Sequence, residues 1–527
     1  MRGLIAPPSN SPATSKAGPY NQTMNTTLLE THTSEIKGTI SCYDRLLLFG
    51  TFRDICHPDA MSYQLYENRV KLLDYEKKFA NDLRLGIRAN IQTLAKQEKL
   101  EIHNVNYDVR KEDFVKNILK SRRKRKGIVC ILSAMESCSC FKVGKDSKKK
   151  FLKLTWGKGK CIHYYVYIMD EVYGLCYLRI PTWAPFRLQF YCNGHDWLER
   201  QMKREGIRFS KADNCFTHIS DFDKAQEIAN NFDCVQLHTR LDEIAADLVS
   251  IFPRWGDSLQ WSIRQAEMAT DIVFKNDRFL PVFYNELIRT AAIEVKADNI
   301  YSFLGKRLTK PSAQEVATRL QTMVQGTRIK HTLGKTSLKM YDKQGVVLRI
   351  ETTANDVSVF KHHREVKHRD GTSEMKYAAM KKTIYSLGAL HEQMLACNNR
   401  YIGFISQWKD HTHERTDLDR ITQSIKDDKD RSYRGLNFFQ SQDLLFVNAV
   451  LRGENQISGF SNRLLQFHLP GWSPAKVGRV LKRFRALKLI KRIGKTYKYY
   501  LSDLGKKVLI AALQLKERVV IPALGTT

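Results

Sequence analysis

The segment from Leu436 to the C-terminus constrains the fold more than any other part of the chain, because helix-start signals, apolar residues at helical spacing and turn residues alternate along it. Ser441 precedes the first apolar stretch. The pair Ser473-Pro474 supplies an N-cap and then a proline at the first helical position, where its missing N–H costs nothing. These signals predict three helices, over residues 442–452, 461–467 and 475–487.

The third predicted helix separates apolar from basic side chains. Its apolar residues recur at the spacing of one helical face and are Val477, Val480, Leu481, Phe484 and Leu487. The basic residues predicted for its remaining surface are Lys476, Arg479, Lys482, Arg483 and Arg485. A helix of this kind buries one face against its neighbours and presents its cations to an anionic partner.

Two short apolar segments after the third helix, 489–493 and 497–501, flank a Gly-Lys pair and predict a β-hairpin. Ser502 and Asp503 then predict the start of a closing helix that runs to about residue 518. The hairpin adds further basic residues to the segment: Lys491, Arg492, Lys495 and Lys498.

Three helices and a basic hairpin are the elements of a winged helix-turn-helix, in which the third helix enters the major groove of DNA and the hairpin contacts neighbouring phosphates. From Leu436 onward the chain holds 16 Lys and Arg against 4 Asp and Glu. We therefore predict a DNA-binding domain and assign the basic residues of the third helix and the hairpin to DNA contacts. The alternative is a winged helix used for protein contacts. The element order resembles that of MarR-like bacterial repressors, which implies a fold but no target.

The whole chain of 527 residues carries a formal net charge of +31, which predicts binding to polyanions with a strong salt dependence. DNA is the predicted partner, and RNA stays open because counterion release favours either. No uncharged apolar stretch is long enough to span a bilayer, and the 11 cysteines follow no disulfide framework. We therefore expect no membrane partner, reduced thiols and a cytoplasmic, nucleoid-associated location.

Element order and composition divide the chain into five predicted regions. Strands that alternate with helices before residue 136 predict an α/β domain with some parallel pairing. The antiparallel hairpins after it predict a mixed α+β core, in which residues 235–330 are mostly helical. The predicted fold class is thus α/β and α+β multidomain. The regions are a disordered tail (1–38), the α/β domain (39–135), the mixed core (136–408), a charged linker (409–435) and the winged helix (436–527).

A hairpin predicted over residues 337–353 is the clearest candidate for a catalytic site. Alternation along its strands places Lys339, Tyr341, Arg349 and Glu351 away from the apolar face. Glu351 is a candidate ligand for Mg²⁺ or Mn²⁺, which carboxylate oxygens bind well. The alternative is ordinary sheet pairing. The candidate phosphate contacts in and beside this hairpin are Arg349, Lys339, Arg328 and Lys330.

The letters K-M-Y-D-K and L-R-I-E of this hairpin resemble a stretch of rolling-circle replication initiators of the plasmid and filamentous-phage type. Such proteins nick one DNA strand through a metal-assisted tyrosine, so the resemblance implies a nucleophile on a later helix, where Tyr401 lies. The alternative is that Tyr401 is a half-buried helix residue. The His-hydrophobic-His motif of many nicking enzymes has no match, since the nearest sequence, His411-Thr412-His413, has a polar residue at the apolar position.

Asp170 ends an apolar strand and precedes a second strand, an arrangement in which RNase H-like nucleases and transposases place a metal-binding acid. With Glu351 and a third acid, Asp271 or Asp356, it is a candidate member of a carboxylate cluster. The alternative is a turn-forming aspartate. A zinc site is a separate candidate, with buried thiols as the alternative, and its ligands would be Cys138, Cys140, Cys161 and His163.

Several phrases of the sequence resemble, as a set, a widespread bacterial family of about this length with a C-terminal MarR-like winged helix and no established activity. The phrases are Tyr43-Asp44-Arg45 and the segments 182–186, 193–198, 326–331 and 433–438. Two hypotheses follow. The first is a bacterial DNA-binding protein of mobile-element type that nicks or transfers a DNA strand with a metal ion and the candidate catalytic residues Glu351, Tyr401 and Asp170. The alternative is a non-enzymatic MarR-like transcriptional regulator.

Overall fold

The computed structural model divides the chain into two compact units, residues 1–408 and 409–527. The part of the predicted tail up to residue 31 lies outside the described residues, whereas Ile36–Gly38, assigned to that tail, already belong to a strand. The described residues are 32–106, 109–121, 126–145, 151–307, 316–323, 326–406, 418–419, 421–427, 430–494, 496–516 and 520–524.

The first unit is a mixed α/β structure built on a large sheet. Its described strands are β1 (Ile36–Phe52), β2 (Ile102–Asn104), β3 (Gly127–Lys145), β4 (Leu152–Asp170), β5 (Gly174–Pro181), β6 (Leu188–Asn193), β7 (Phe209–Ala212), β8 (Cys215–Ile219), β9 (Leu259–Phe274), β10 (Val316–Met323), β11 (Gly326–Leu333), β12 (Thr336–Lys343), β13 (Val347–Ala354), β14 (Lys361–Lys367) and β15 (Ser373–Ala379). Eleven strands form one sheet in the order β10-β11-β12-β13-β9-β1-β6-β5-β4-β3-β2, while β7–β8 and β14–β15 are separate hairpins. Within the sheet β2 and β3 pair in parallel, and the other described neighbours pair antiparallel.

The central position of β1 corrects the domain boundary predicted between residues 135 and 136. β1 pairs with β6 on one side and with β9 on the other, so the N-terminal segment does not form a separate domain. The predicted boundary itself lies inside β3. The expectation that 235–330 is mostly helical is also wrong over β9, β10 and β11. The second half of β9 is buried on both faces, and such a strand lacks the alternation that identifies a half-exposed one.

Helices cover one face of the sheet near β12 and β13. Met340 and Ile350 point to this face and share a buried cluster with helices Phe279–Ile293 and Leu387–Ser406. Because successive side chains of a strand point to opposite faces, Glu351 and its alternate neighbours lie on the other face. The described helices of this unit are Pro58–Glu67, Ala80–Gln97, Lys111–Ser121, Gly194–Arg204, Phe222–Asn230, Cys234–Leu248, Phe252–Trp255, Phe279–Ile293, Ala297–Phe303 and Leu387–Ser406.

The core of the second unit is one buried cluster surrounded by helices. Two short antiparallel hairpins complete the unit. Ser473 caps its helix as predicted, by accepting a hydrogen bond from the backbone N–H of Lys476. Ser461, predicted as the first residue of the second helix, is instead its cap and accepts from the N–H of Leu464. Ser441 is the first residue of its helix rather than the cap. The elements are Ser441–Val450, Gly453–Ser458, Asn462–His468, Pro474–Ala486, Asp503–Leu515 and Ile521–Leu524 for the helices, and β16 (Ile425–Lys426), β17 (Ser432–Tyr433), β18 (Ile490–Arg492) and β19 (Tyr499–Leu501) for the strands.

Part of the predicted linker 409–435 belongs to the second unit. Ile421 is fully buried in its core cluster, and its carbonyl accepts a hydrogen bond from the N–H of Leu436 at 2.7 Å. At Gly435 a Cβ would lie 1.9 Å from the carbonyl oxygen of Thr422, so only glycine allows the two segments to approach this closely. Wherever the structure describes residues 421–435, they pack against the second unit and do not form a free linker.

Arg483 lies on the buried side of helix Pro474–Ala486, which corrects its assignment to DNA contacts. Its Nη2 donates to Oδ1 of the buried Asp443 at 2.5 Å. The backbone N–H of Asn437 donates to the other oxygen of the same carboxylate at 3.0 Å. Arg483 follows Val480 by three residues and precedes Leu487 by four, and both pack into the core, so the helical repeat turns Arg483 inward with them.

We predict that Asp443→Ala destabilises the second unit by about 3 to 5 kcal/mol, because it leaves the Arg483 guanidinium buried without its partner. Hydrogen exchange of the amides in helix Pro474–Ala486 measures this loss. The matched control, Arg485→Ala on the exposed side of the same helix, should change the free energy of opening by about 0.5 kcal/mol or less. Equal protection in the two variants would contradict the prediction.

Candidate functional site

Four neighbouring strands bring charged side chains together on the face of the sheet opposite helix Leu387–Ser406, here called the polar face. The register places Lys339 opposite Glu351, and Arg349 between Tyr341 on one side and Asp271 on the other. Residues paired in this way point to the same face. The charged and phenolic residues that meet at the centre of the polar face are Asp44, Glu267, Asp271, Lys339, Tyr341, Arg349 and Glu351.

Arg349 is fully buried and binds neighbouring groups with all of its nitrogens. Nε and Nη2 donate to the two oxygens of Asp271 at 2.6 and 2.7 Å, and Nη1 donates to Asp44 at 3.3 Å. Nη2 also donates to the carbonyl of Asn214 at 2.6 Å, and it lies 2.9 Å from Nε2 of His195. Arg349 therefore joins β13, β9 and β1 to the β7–β8 hairpin and helix Gly194–Arg204. Its prediction as a phosphate contact needs correction, because the guanidinium is fully buried and each of its nitrogens already has a partner.

The guanidinium of Arg349 keeps both of its acid partners ionised. Burial raises the pKa of Asp271, but the charge and hydrogen bonds of Arg349 and His195 outweigh it and lower this pKa to about 2. Burial also raises the pKa of Asp44, and Arg349 together with His195 brings it well below the usual range. Nδ1 of His195 lies 2.9 Å from the Asp44 carboxylate.

Asp44, Glu267 and Glu351 form what we call the carboxylate trio. Each offers an oxygen that lies within 4.8 Å of the other two, and this is the one group of three or more potential metal ligands found among the described residues. Lys339 is bound to Glu351 and lies 3.5 Å from Glu267, while the hydroxyl of Tyr341 donates to Glu351 at 2.7 Å. Three carboxylate oxygens suit a hard divalent cation such as Mg²⁺ or Mn²⁺.

Neighbouring cations, Lys339 and Arg45, offset part of the negative charge of the trio. Burial raises the pKa of Glu267, and the nearby charge of Glu351 raises it further, although Lys339 opposes both effects. Burial lowers the pKa of Lys339, but Glu351 and Glu267 outweigh it and raise this pKa. Lys339 is therefore a cation that neutralises the trio. Bound in this way, it is not free for the phosphate contact predicted for it.

Tyr401 does not meet Glu351, which corrects the predicted catalytic pair. Tyr401 is fully buried on helix Leu387–Ser406, and its hydroxyl lies 3.1 Å from Nε2 of His331. His331 is paired with Leu338 on the helix-covered face of the sheet, whereas Glu351 lies on the polar face. Burial also raises the pKa of Tyr401 far above that of a free phenol. Tyr401 is a core residue and cannot attack a phosphate held at the trio.

Asp170 also lies apart from the trio, at the end of β4, with β5, β6, β1 and β9 between it and β13. At roughly 4.8 Å per strand this separation is about 24 Å. Its carboxylate accepts hydrogen bonds from the N–H groups of Val172 and Tyr173 and pairs with Arg240 at 2.8 Å. Asp170 is therefore a turn former. Asp356, the other candidate third acid, caps a short helix by accepting from Ser358.

The predicted zinc ligands do not converge. Cys138, Cys140 and Cys161 are free thiols that line one pocket, but no three of the four predicted ligands bring their donor atoms within 4.8 Å of one another. Sγ of Cys161 lies 3.9 Å from Nδ1 of His163. Burial raises the pKa of Cys138 to about 12, so this thiol stays protonated. The buried-thiol alternative describes these cysteines.

In the second unit the basic surface of helix Pro474–Ala486 is narrower than predicted. Arg479, Lys482 and Arg485 are exposed and are here called the basic helix face. Lys476 is half-buried, with Nζ 4.3 Å from the centre of the Trp472 ring. On the hairpin the exposed cations are Lys491, Arg492 and Lys498, and Lys495 lies outside the described residues.

The sequence interpretation missed Asp44 and Glu267 as partners of Glu351. In β9, Gln265 and Glu267 alternate with the apolar residues Ala266 and Met268, which is a strand signal of period two. Asp44 lies where the register of β1 against β9 shifts, and this irregularity adds its carboxylate to the polar face. The first signal was present in the sequence, while the second arises only from pairing.

No protein-family model matches the chain, no curated protein is similar to it, and no solved structure resembles the model. Among the helices described, none is long and apolar enough to cross a membrane.

We predict that the contribution of Asp271 to stability is lost in acid. Its pKa in the folded protein lies near 2, below the value of about 3.9 in an unfolded chain, so this stability is present above pH 4 and disappears as the pH falls toward 2. In urea unfolding, Asp271→Asn should cost about 3 to 5 kcal/mol at pH 7, and the difference from the native chain should narrow by on the order of 2 kcal/mol at pH 2. Asp277→Asn, at an exposed site, serves as the control. A pH-independent difference would refute the prediction.

Proposed function

We propose that this protein binds DNA through its second unit, as a winged helix-turn-helix in which helix Pro474–Ala486 is the recognition helix and β18–β19 is the wing. The observation that carries the proposal is the division of this helix. Val477, Leu481 and Phe484 are buried, whereas the basic helix face is exposed. An anionic groove is the partner that such a surface fits.

The positions of the exposed cations support a duplex as the partner. Arg479, Lys482 and Arg485 follow one another at intervals of three residues, so they lie along one side of a helix about 20 Å long. An α-helix fits into the major groove. Lys491 and Lys498 are exposed on the wing, where they would contact the phosphates beside that groove. A cytoplasmic, nucleoid-associated location follows from this proposal.

The triple variant Arg479→Gln/Lys482→Gln/Arg485→Gln should lose most of its affinity for a short mixed-sequence duplex. If each cation contacts one phosphate, the slope of log K against log salt should fall by about 2.7. The matched control is Lys506→Gln/Lys507→Gln, two exposed lysines of helix Asp503–Leu515, which should keep the native slope. Fluorescence anisotropy at several salt concentrations measures both. An unchanged slope in the triple variant would refute the recognition helix.

A second function, metal-dependent cleavage of a DNA strand as in a mobile-element protein, is supported by the carboxylate trio. Asp44, Glu267 and Glu351 would hold Mg²⁺ or Mn²⁺, and Lys339 balances their charge before a cation binds. A bound cation can polarise a phosphate and activate water. Since Tyr401 lies on the opposite face, water is the nucleophile in this proposal, unlike in the initiators that the hairpin resembles. The alternative is a MarR-like regulator without catalytic activity.

Supercoiled plasmid incubated with the full chain and Mn²⁺ or Mg²⁺ should be converted to the relaxed form. Glu351→Gln should reduce this rate by about a hundredfold, because it removes one charged ligand of the cation. Tyr401→Phe should nick at the native rate, since the hydroxyl lies on the other face of the sheet. Intact plasmid together with a sequence-specific footprint would instead favour the non-enzymatic regulator.

A further inference from the structure

Three cations lie directly opposite one another on adjacent strands of the polar face. Arg319 of β10 is paired with Lys330 of β11, and Lys330 is paired with Lys339 of β12. We call this row the cation ladder. Its next member, on β13, is Glu351 of the carboxylate trio. The ladder thus leads from the edge strand β10 to the centre of the polar face.

Like charges directly opposite one another destabilise a sheet, so the cation ladder is a cost to the fold. Lys339 is compensated by Glu351 and Glu267, but within the described residues no carboxylate lies in ion-pair distance of Arg319 or Lys330. Arg328 adds a further cation beside them, and its Nε is buried without a hydrogen-bond partner among the described groups. A row of uncompensated cations is explained most simply by an anion that binds there.

The neighbouring cations make the charged form of Lys330 less favourable. Burial lowers the pKa of Lys330, and the charges of Lys339, Arg328 and Arg319 lower it further, with only Glu267 acting in the opposite direction. The cations therefore lie near enough to repel one another. A phosphate placed between them would relieve this repulsion.

Aromatic rings and arginines continue the polar face on the other side of the trio. Arg45, paired with Glu267, lies 5.2 Å from the centre of the Tyr191 ring. Phe49, further along β1, has the guanidinium groups of Arg187 and Arg264 at 5.6 and 5.8 Å from its ring centre. Tyr191 and Phe49 are half-buried, and cations interleaved with aromatic rings on the rim of a sheet are characteristic of surfaces that bind single-stranded nucleic acid.

We infer that the polar face binds a single-stranded nucleic acid, whose phosphates lie at Arg319 and Lys330, the two members of the cation ladder without a carboxylate partner, and whose bases lie toward β1. The ladder is spaced by one strand, about 4.8 Å, so it follows a single line of phosphates rather than the two lines of a duplex groove. This binding depends neither on the basic helix face nor on a metal at the carboxylate trio. It gives the first unit a nucleic-acid partner of its own.

The test uses the full chain with Arg479, Lys482, Arg485, Lys491 and Lys498 replaced by glutamine, so that the second unit loses the cations assigned to nucleic-acid contacts. In this background a fluorescent oligothymidylate should bind, and adding Arg319→Gln/Lys330→Gln should weaken it by about tenfold at low salt. The slope of log K against log salt should fall by about 1.4, which corresponds to two phosphate contacts on a single strand. The matched control is Lys77→Gln/Lys96→Gln, two exposed lysines on helices outside the sheet.

Thermal unfolding separates binding from a structural role. Because the ladder variant removes repulsion between like charges, its midpoint temperature should equal or exceed that of the control. If the Arg319→Gln/Lys330→Gln variant binds the oligonucleotide with native affinity, the inference is overturned. It is also overturned if the affinity is weaker only because the variant unfolds at a lower temperature. An oligouridylate of equal length, run in parallel, shows whether the strand is RNA or DNA. The result of this oligonucleotide assay does not depend on the duplex-binding assay, because the duplex assay tests only the second unit.

Discussion

The buried ion pair between Arg349 and Asp271 determines how the centre of the first unit is built. Because both groups are excluded from water, each is tolerated only while the other is present, and the remaining donors of the guanidinium must also be satisfied. Asp44, His195 and the carbonyl of Asn214 meet this need, and they come from three different elements. The pair thereby aligns β13, β9 and β1 and places the carboxylate trio beside it. Of the trio, Asp44 and Glu351 are buried, and Arg349 compensates the charge of Asp44 directly.

Local sequence signals predicted the second unit well, because its helices and hairpin are each encoded within a short stretch. Serine caps, a first-turn proline and apolar residues at helical spacing located helix Pro474–Ala486 to within one residue. Arg483 was misplaced because charge alone assigned it to the surface. Its acid partner, Asp443, lies among the apolar residues of an earlier helix, and a charge on the buried side of one helix indicates a partner on another.

The large sheet could be predicted in part. Strand alternation placed Lys339, Tyr341, Arg349 and Glu351 on one face, and the register agrees. The same argument could not say on which face of the sheet a distant helix packs, and for this reason Tyr401 was grouped with Glu351 although the sheet separates them. Glu267 and Asp44 were missed for a related reason, since the pairing of β13 with β9 and of β9 with β1 depends on contacts between segments far apart in sequence.

The place of β1 in the sheet has a consequence for synthesis. β1 is complete at Phe52, yet its two neighbours are Leu188–Asn193 and Leu259–Phe274, so more than half of the chain must be made before both of its edges are covered. Until then a long apolar strand with unsatisfied backbone groups is available to any other extended segment. This topology therefore favours slow assembly, because β1 is paired on both sides only when β9 has left the ribosome.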